Sequence, residues 1–405
     1  MHYQALRDIR IIDLTHRIAG PYATKLLAGL GAEVIKVEPP WGDGGRSVPP
    51  HRATEAGAAP TDRGGLFAFL NTDKYGVTLN LKHDRGRALL LELLADADLL
   101  IENFAPATLP SLGLVHAELL ERFPRLSIVS ISNFGQDGPD RDTPLNDLTL
   151  SARGGWTYAV GEPTREPLTP PGSLAQYVGG LYGAIGAMQS VFARNFGDGR
   201  GQHVDVSLVE ATVATMVYDH VTFQYTGTLR SRVGKRFAIG PYFIATLECR
   251  DGYAGIQNVT QKQFESLCAM MGAPELARDQ RFATPLARMA NNHALLEICE
   301  RFFAGCERMW LYREGQRRAI PIVPIPSVAE VLEWEQTRAR RYFETIDDPV
   351  LGRIRIPGTP LRLTSHAAAP SRPAPLLGEH TEAILGGRLG LDSAQIGSLR
   401  EARVI

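Results

Sequence analysis

The chain has 405 residues, and its 43 basic and 44 acidic side chains leave a net charge of -1. This length indicates two or three domains of roughly 100–200 residues each. A net charge so close to zero argues against nucleic acid or an anionic membrane as partners, so a small molecule or another protein is expected. Residues 1 to 8 lack the apolar core of a signal peptide, and no run reaches the roughly 18 apolar residues of a membrane helix. We therefore expect a cytoplasmic protein.

A βαβ unit is predicted over residues 10 to 40. A β-branched run at Ile11 and Ile12 predicts a strand, and the break at Gly20-Pro21 opens a helix rich in Ala and Leu. A second strand is predicted from Glu33 to Val37. The start of a helix in such a unit is suited to an anionic ligand, because its free backbone N–H groups point outward.

The alternation of helix and strand continues, with a helix predicted over 83–97 and strands over 98–104 and 126–133. Repeated units of this kind predict an α/β fold whose large domain is a Rossmann-like, doubly wound and mostly parallel sheet. Ligands of such sheets bind beyond the carboxyl ends of the strands. The residues at those ends are Thr15, His16, Asn103, Phe104, Ser132, Asn133 and Phe134.

Residues 41–65 are rich in Gly, Pro and Ala and are predicted to form a loop. This loop is either an active-site flap or a plain surface excursion, and the sequence does not decide between them. Beyond it, the pattern predicts a long helix over 179–196, a strand over 203–208 and a helix over 210–218.

A composition change near residue 226 marks a predicted domain boundary. We expect residues 1–225 to form the first part of the large domain and 226–325 to form a smaller inserted α+β domain. Residues 326–405, which contain two Pro-rich segments, are expected to return to the large domain. The elements predicted in the small domain are strands at 242–249 and 253–257 and helices at 261–271 and 292–305.

The four cysteines are predicted to be reduced, buried thiols. They show no CxxC pair and stand where helical apolar spacing places core residues. A zinc site requires closer ligand spacing, so neither a metal nor a disulfide framework is expected. These cysteines are Cys249, Cys268, Cys299 and Cys306.

The sequence of the βαβ unit, with His16 before Ala19-Gly20-Pro21 and the run Gly31 to Glu38 after it, resembles the class III CoA-transferase family. That family includes formyl-CoA transferases, carnitine/crotonobetaine CoA-transferases and 2-methylacyl-CoA racemases. Four further blocks match it in order: 71–82, 102–106, 199–207 and 375–381. The resemblance implies transfer of CoA between an acyl-CoA and a small carboxylic acid, no permanently bound cofactor, and an interlocked dimer. Coenzyme A and acyl-CoA are implied as substrates.

The resemblance also implies residues that contact CoA. They are His16, Arg17, Ile18, Ala19, Leu79, Lys82, Asn103 and Phe104. Backbone amides at a helix start and the Lys82 ammonium suit the CoA phosphates, while Ile18, Leu79 and Phe104 suit an adenine or pantetheine wall. For His16 the alternative is a structural role, in which this strand-end residue caps the next helix.

Two positions depart from the family pattern in a way that bears on phosphate binding. Pro39 and Ser111 stand where relatives carry Arg. A basic run near residue 230 is able to meet a CoA phosphate, although a solvated linker is the simpler interpretation. The members of this run are Arg230, Arg232, Lys235 and Arg236.

The nucleophile that the resemblance implies is absent. In the family an Asp carboxylate attacks the acyl-CoA thioester to form a mixed anhydride and then an enzyme-bound CoA thioester. The matching position, before the helix that contains Gly180 to Gly186, is Gln176. Its amide is uncharged and a poor nucleophile, although it donates hydrogen bonds. Racemase members are implied to pair this Asp with a His, and Asn146 stands at that second position.

Three hypotheses remain open. In the first, the chain binds CoA without catalysing transfer and works in a heteromer with an Asp-bearing homologue. In the second, Asp147 replaces the missing carboxylate, although it also fits the N-cap of a helix. In the third, Gln176 only polarises the thioester and supports hydration or isomerisation. A homodimer stays possible under the second and third hypotheses.

Overall fold

A computed structural model describes residues 4–51, 64–229, 232, 234, 243–364 and 371–405. Residues 52–63 of the predicted loop, three members of the basic run (Arg230, Lys235 and Arg236) and the predicted strand start at Tyr242 lie outside the described residues. The chain divides into two compact units. Unit 1 comprises Met1–Trp156, Thr169–Val221 and Gln336–Ile405, and unit 2 comprises Thr157–Leu168 and Thr222–Glu335.

The described strands form three sheets. The strands are β1 (Arg10–Asp13), β2 (Glu33–Glu38), β3 (Tyr75–Thr78), β4 (Leu99–Glu102), β5 (Ser127–Ser132), β6 (His203–Ser207), β7 (Phe243–Cys249), β8 (Gly252–Asn258), β9 (Ile322–Pro324), β10 (Phe343–Asp348) and β11 (Gly352–Pro357). In unit 1, β1 to β6 form a sheet of order β3-β2-β1-β4-β5-β6 in which every pair is parallel. This order confirms the predicted Rossmann-like, doubly wound α/β fold.

Helices alternate with the strands. The first half of the chain contains α1 (Ala19–Gly29), α2 (Gly65–Leu70), α3 (Asp84–Leu94), α4 (Thr108–Ser111), α5 (His116–Arg122), α6 (Asp147–Arg153), α7 (Trp156–Ala159) and α8 (Leu174–Phe196). The second half contains α9 (Leu208–Ala214), α10 (Val217–Thr226), α11 (Gln261–Met270), α12 (Pro285–Ala290), α13 (Asn292–Ala304), α14 (Arg308–Arg317), α15 (Val328–Glu333), α16 (Glu335–Ala339), α17 (Thr381–Leu389) and α18 (Ser393–Glu401).

Both faces of the parallel sheet are buried. Successive residues of a strand point to opposite faces, so Ile11 and Ile12 join different hydrophobic cores. Ile12 packs in the core that contains Leu100, while Ile11 packs in the core that contains Leu99. Burial on both faces explains why these strands are continuous apolar runs rather than alternating ones.

Helix α8 lies close to α1 and β5 because glycines line its inner face. A Cβ added at Gly180 would lie 2.4 Å from the carbonyl oxygen of Ala19, and one added at Gly183 would lie 2.5 Å from Cδ1 of Ile131. A side chain at either position would therefore push the helix away. This close packing fixes the N-terminal turn of α8, which carries Gln176.

Unit 2 has its own core between an antiparallel sheet of order β7-β8-β9 and its helices. Cys249, Cys268 and Cys299 are buried, while Cys306 is half-buried, and all four are free thiols. Burial raises the pKa of the Cys268 thiol to about 11, so it is unreactive near neutral pH. Among the helices of the described residues, none combines the length and apolarity that crossing a membrane requires.

Candidate functional site

The carboxyl ends of β1 and β4 form the centre of the candidate site. These two strands are neighbours, and the strand order reverses between them, so a crevice for ligands is expected there. His16 follows β1 and Asn103 follows β4. The Asn103 side chain accepts a hydrogen bond from the His16 backbone N–H (2.7 Å) and donates one to its carbonyl oxygen (2.8 Å). Asn103 therefore holds the His16 turn, and both of its polar groups are used in doing so.

The next residue of the turn, Arg17, adopts a left-handed backbone conformation with a φ of 65°. This conformation costs a non-glycine residue about 1–3 kcal/mol. The Arg17 N–H donates to Oδ1 of Asp43 at 3.1 Å, and Nδ1 of His16 lies 3.4 Å from the same oxygen. Ile18, and not His16, occupies the N-cap of α1, and it makes no side-chain cap. The capping role considered for His16 is therefore wrong.

A buried network of charges supports this turn from below. Lys36 Nζ lies 3.0 Å from Oδ2 of Asp43 and donates to the carbonyl oxygen of Thr15 at 2.7 Å. Lys74 Nζ lies 3.0 Å from Oδ2 of Asp13. Burial lowers the pKa of Lys36, but the neighbouring carboxylates outweigh burial and raise this pKa above its usual value. Burial lowers the pKa of Lys74 to about 8 despite its pairing with Asp13.

One cavity, of about 320 Å³, lies beside the outer strands of the sheet, and we call it the Lys82 cavity. Its walls include His16, Leu79, Lys82 and Phe104 of the predicted CoA-contacting residues. The Lys82 ammonium lies 5.9 Å from the ring centre of Trp41. Pro39 and Ser111, the two positions that depart from the family pattern, also line this cavity.

A second cavity, of about 490 Å³, lies beyond β4 and β5, and we call it the Gln176 cavity. Its lining brings together residues that the sequence predicted separately. They are Arg17, Ile18, Asn103, Phe104, Asn146, Asp147 and Gln176. Phe104 lines both cavities, and its ring centre lies 5.3 Å from that of His16. Ala19, the remaining predicted contact, is buried in the core beneath α1.

Asn146 and Asp147 lie at the start of α6, where they have different roles. Asn146 is the N-cap, and its side-chain oxygen accepts from the Thr149 N–H at 3.0 Å. The capping role considered for Asp147 is therefore wrong, because Asp147 is the first residue within the helix. Its Oδ1 is buried and has no hydrogen-bond partner among the described residues. Burial raises the pKa of Asp147, and the backbone N–H of Gln176 partly opposes this rise.

Phe104 is held in place by a buried carboxyl group, Glu102, at the end of β4. Oε2 of Glu102 accepts from the Phe104 N–H at 2.8 Å. Burial raises the pKa of Glu102 to about 7. Nε2 of His116 lies 3.7 Å from Oε1 of Glu102, and its ring centre lies 4.4 Å from that of His203. Burial, and then the neighbouring His203, lowers the pKa of His116 to about 4.

Four residues of this site were missed from the sequence. A lysine inside an apolar strand requires a buried partner, so Lys36 carried a usable signal. Asp43 and Trp41 lie in a Gly-rich loop, where the sequence does not fix which side chains turn inward. Glu102 ends an apolar run, as a buried strand-end carboxyl would, but of its two contacts only the Phe104 N–H is near it along the chain, and His116 is not.

The strand order and the two cavities beyond the strand ends define a Rossmann-like protein with cavities at its topological switch point, where proteins of this fold class bind their ligands. The sequence model described as CoA-transferase family III matches residues 6–381. The chain therefore belongs to CoA-transferase family III, and the family prediction is confirmed. The predicted activity of a CoA-transferase is confirmed at the level of the family.

Individual relatives cover nearly the whole chain. An acetyl-CoA:oxalate CoA-transferase from Acetobacter aceti is 34% identical over 378 residues, which are 92% of this chain and 93% of the relative. The beta subunit of a succinyl-CoA–L-malate CoA-transferase from Chloroflexus aurantiacus is 33% identical over 405 residues, covering 99% of this chain and 98% of that subunit. A CaiB/BaiF family protein from Brucella suis has a similar solved structure, with a TM-score of 0.82 and 31% identity over 95% of this chain and 99% of that one.

Proposed function

We propose that this chain transfers CoA from an acyl-CoA to a carboxylic acid and that Asp147 supplies the carboxylate for the covalent steps. One observation carries the proposal: Oδ1 of Asp147 is buried without a hydrogen-bond partner among the described residues, in the cavity that Gln176 also lines. A buried polar atom without a partner is costly in a folded protein and requires an explanation, of which a catalytic role is one. A substrate that reacts with this oxygen gives it a role.

The two cavities suit the two parts of an acyl-CoA. The Lys82 cavity offers an ammonium group and the indole ring of Trp41, which suit the phosphates and the adenine of CoA. Phe104, between the cavities, offers an apolar surface to the pantetheine arm. The acyl thioester then lies in the Gln176 cavity, where Asp147 meets its carbonyl carbon.

The reaction begins when a carboxylate oxygen of Asp147 attacks the thioester carbonyl carbon. The carbon–sulfur bond breaks, CoA leaves as a thiolate, and a mixed anhydride forms on Asp147. The thiolate then attacks the Asp147 carbonyl carbon, which releases the first acid as a carboxylate and leaves CoA as a thioester on Asp147. An acceptor carboxylate repeats these two steps in reverse, takes CoA, and restores the Asp147 carboxylate.

Gln176 has a supporting role in this scheme. Its carboxamide N–H donates a hydrogen bond to the thioester oxygen, where negative charge develops during attack. The backbone N–H of Gln176 donates to the carbonyl oxygen of Ser173 at 3.0 Å, and it also helps to lower the pKa of the Asp147 carboxyl. A neutral amide beside the nucleophile avoids the repulsion that a second carboxylate would bring.

The test is acyl transfer by the purified chain and by Asp147→Asn. The substitution keeps the size of the side chain and removes its nucleophilic oxygen, so kcat is expected to fall by about 10³-fold or more. Hydroxylamine added during turnover is expected to form a hydroxamate on Asp147, which mass spectrometry of the peptides locates.

The matched control is Asp142→Asn. Asp142 lines the same cavity, but its carboxylate lies 3.1 Å from Nε of Arg141 in an exposed pair. Its loss is expected to change kcat by no more than about threefold. Full activity of Asp147→Asn, with no hydroxamate on that peptide, would exclude Asp147 as the nucleophile.

A second candidate is a subunit that is active only beside an Asp-bearing homologue. Gln176 stands where the family places its Asp, and relatives include the alpha and beta subunits of a succinyl-CoA–L-malate CoA-transferase. Helix α8 also exposes a row of apolar side chains suited to another subunit. The row consists of Leu181, Ile185, Phe192 and Phe196. Activity that appears only after mixing with such a homologue supports this candidate, while activity of the lone chain, as a homodimer or otherwise, excludes it.

A further inference from the structure

The Gln176 cavity contains cationic side chains as well as a carboxylate. The lining residues with a guanidinium group are Arg17 and Arg141. Arg141 is engaged, because its Nε lies 3.1 Å from Oδ2 of Asp142. The Arg17 guanidinium has no carboxylate partner among the described residues, although its backbone N–H is bound to Asp43. The cavity therefore presents one positive charge that an anionic ligand can pair with.

The position of Arg17 is fixed by its backbone. Asn103 holds the preceding residue through two hydrogen bonds, and Asp43 holds the Arg17 N–H in the left-handed conformation. As a result, consecutive residues of the turn line different cavities: His16 lines the Lys82 cavity, and Arg17 lines the Gln176 cavity. Arg17 is thus placed on the side of Asp147 and not on the side proposed for the CoA phosphates.

We propose that Arg17 binds the distal carboxylate of a dicarboxylic acid and makes this chain selective for dicarboxylic acids over monocarboxylic ones. This inference rests on the proposed function, because it places the reacting carboxylate of the acid at Asp147. The planar guanidinium matches a carboxylate with two parallel hydrogen bonds. A volume of about 490 Å³, lined by both Arg17 and Asp147, accommodates a short diacid beside the pantetheine end.

A monocarboxylic acid of the same length leaves Arg17 without a partner. The exposed guanidinium then stays hydrated and imposes no penalty, so such an acid still reacts but gains no binding from this residue. Paired hydrogen bonds between charged groups favour the diacid by about ten- to a hundredfold in kcat/KM, and the exposure of Arg17 places the expected preference at the lower end of this range. A buried cation would discriminate more strongly, since it would be left without water or a partner.

The experiment compares Arg17→Met, Arg17→Lys and the parent chain with acetyl-CoA as donor and succinate or butyrate as acceptor. Arg17→Met is expected to lower kcat/KM for succinate about ten- to a hundredfold and to leave that for butyrate within about threefold. Arg17→Lys keeps the charge but not the paired hydrogen bonds, and it is expected to recover part of the loss. The KM for acetyl-CoA is expected to stay unchanged. Arg141→Met, whose guanidinium is already paired, is the matched control.

Equal losses with succinate and butyrate would overturn the proposal, and so would a rise in KM for acetyl-CoA alone, which would place Arg17 on CoA. Calorimetric titration of succinate into each folded variant gives a readout that does not depend on turnover. If the parent chain binds succinate more weakly after Arg17→Met yet transfers no CoA, the proposed function fails while the role of Arg17 stands. If transfer occurs without any diacid preference, the role of Arg17 fails while the proposed function stands.

Discussion

The buried charges beneath the His16–Arg17 turn and the charges of the Gln176 cavity are arranged in opposite ways. Lys36 and Asp43 have fully buried side chains and contact each other at 3.0 Å. Asp147, in the cavity, has a buried oxygen that lacks a partner among the described residues. A network whose charged groups are all paired holds the backbone in one conformation. A buried polar group without a partner is able to bind a ligand instead. The same chain therefore uses charge for structure under the turn, and we propose that it uses the charge of Asp147 for chemistry in the cavity.

The largest effect is expected from breaking the structural pair with Lys36→Met. This change leaves Asp43 buried without its cation, and loss of one member of a buried pair costs about 3–5 kcal/mol. Chemical denaturation measures the free energy of unfolding. Arg141→Met, at an exposed pair, is the control and is expected to cost no more than about 1 kcal/mol. A similar small cost for Lys36→Met would show that the network does not support the turn.

Glu102 is a buried carboxyl group whose protonation changes near neutral pH. Its pKa of about 7 in the folded protein lies above the ordinary 4.5, so between these pH values the folded state holds a proton that the unfolded chain has lost. Its contribution to the free energy of unfolding therefore falls as pH rises through this window, by roughly 3 kcal/mol in total. His116, with its pKa lowered to about 4 from 6.5, acts in the opposite direction between those two values.

The variant Glu102→Gln removes the pH-dependent contribution of Glu102 to the free energy of unfolding and leaves that of His116. Its free energy of unfolding, minus that of the parent chain, is expected to increase steadily between pH 4.5 and 7 and to level off above. The control is Glu118→Gln at an exposed position of α5, which measures the effect of removing a carboxylate that is not buried. A flat difference for Glu102→Gln would mean that Glu102 is ionised in the folded protein throughout this range.

The sequence predicts the strand ends of this site but not the contacts between them. Strand ends were predictable, because apolar runs such as Leu99 to Ile101 stop at polar residues, and parallel strands bring those ends to one edge. The contact between Asn103 and His16 was not predictable, because it joins residues that lie 87 positions apart. The first turn of α6 shows the limit at short range: the pattern allowed Asp147 as the cap, but the capping box of Asn146 and Thr149 places it one residue inside.

The same long-range contacts decide which charges are structural. The position of Lys36 inside an apolar strand indicates a buried partner, but it does not indicate which residue that partner is. In the fold, Lys36 is fully buried against Asp43, while Lys82 is exposed beside Trp41. Only the tertiary structure identifies Asp43 as the partner of Lys36, because neither the spacing of the lysines nor their neighbours in sequence encodes it.

The smallest effect is expected from Lys82→Met, which tests the function assigned to the Lys82 cavity. Lys82 is exposed, and its ammonium lies 5.9 Å from the Trp41 ring centre, so its loss leaves folding nearly unchanged. One exposed contact between an ammonium and a phosphate is worth about 1 kcal/mol or less, which corresponds to a severalfold rise in KM for acyl-CoA. Because charge pairing is screened by salt, this rise is expected to shrink as ionic strength increases. The kcat and the KM for the acceptor acid are expected to stay constant. A fall in kcat would instead place Lys82 at the reacting thioester and would contradict the separate roles proposed for the two cavities.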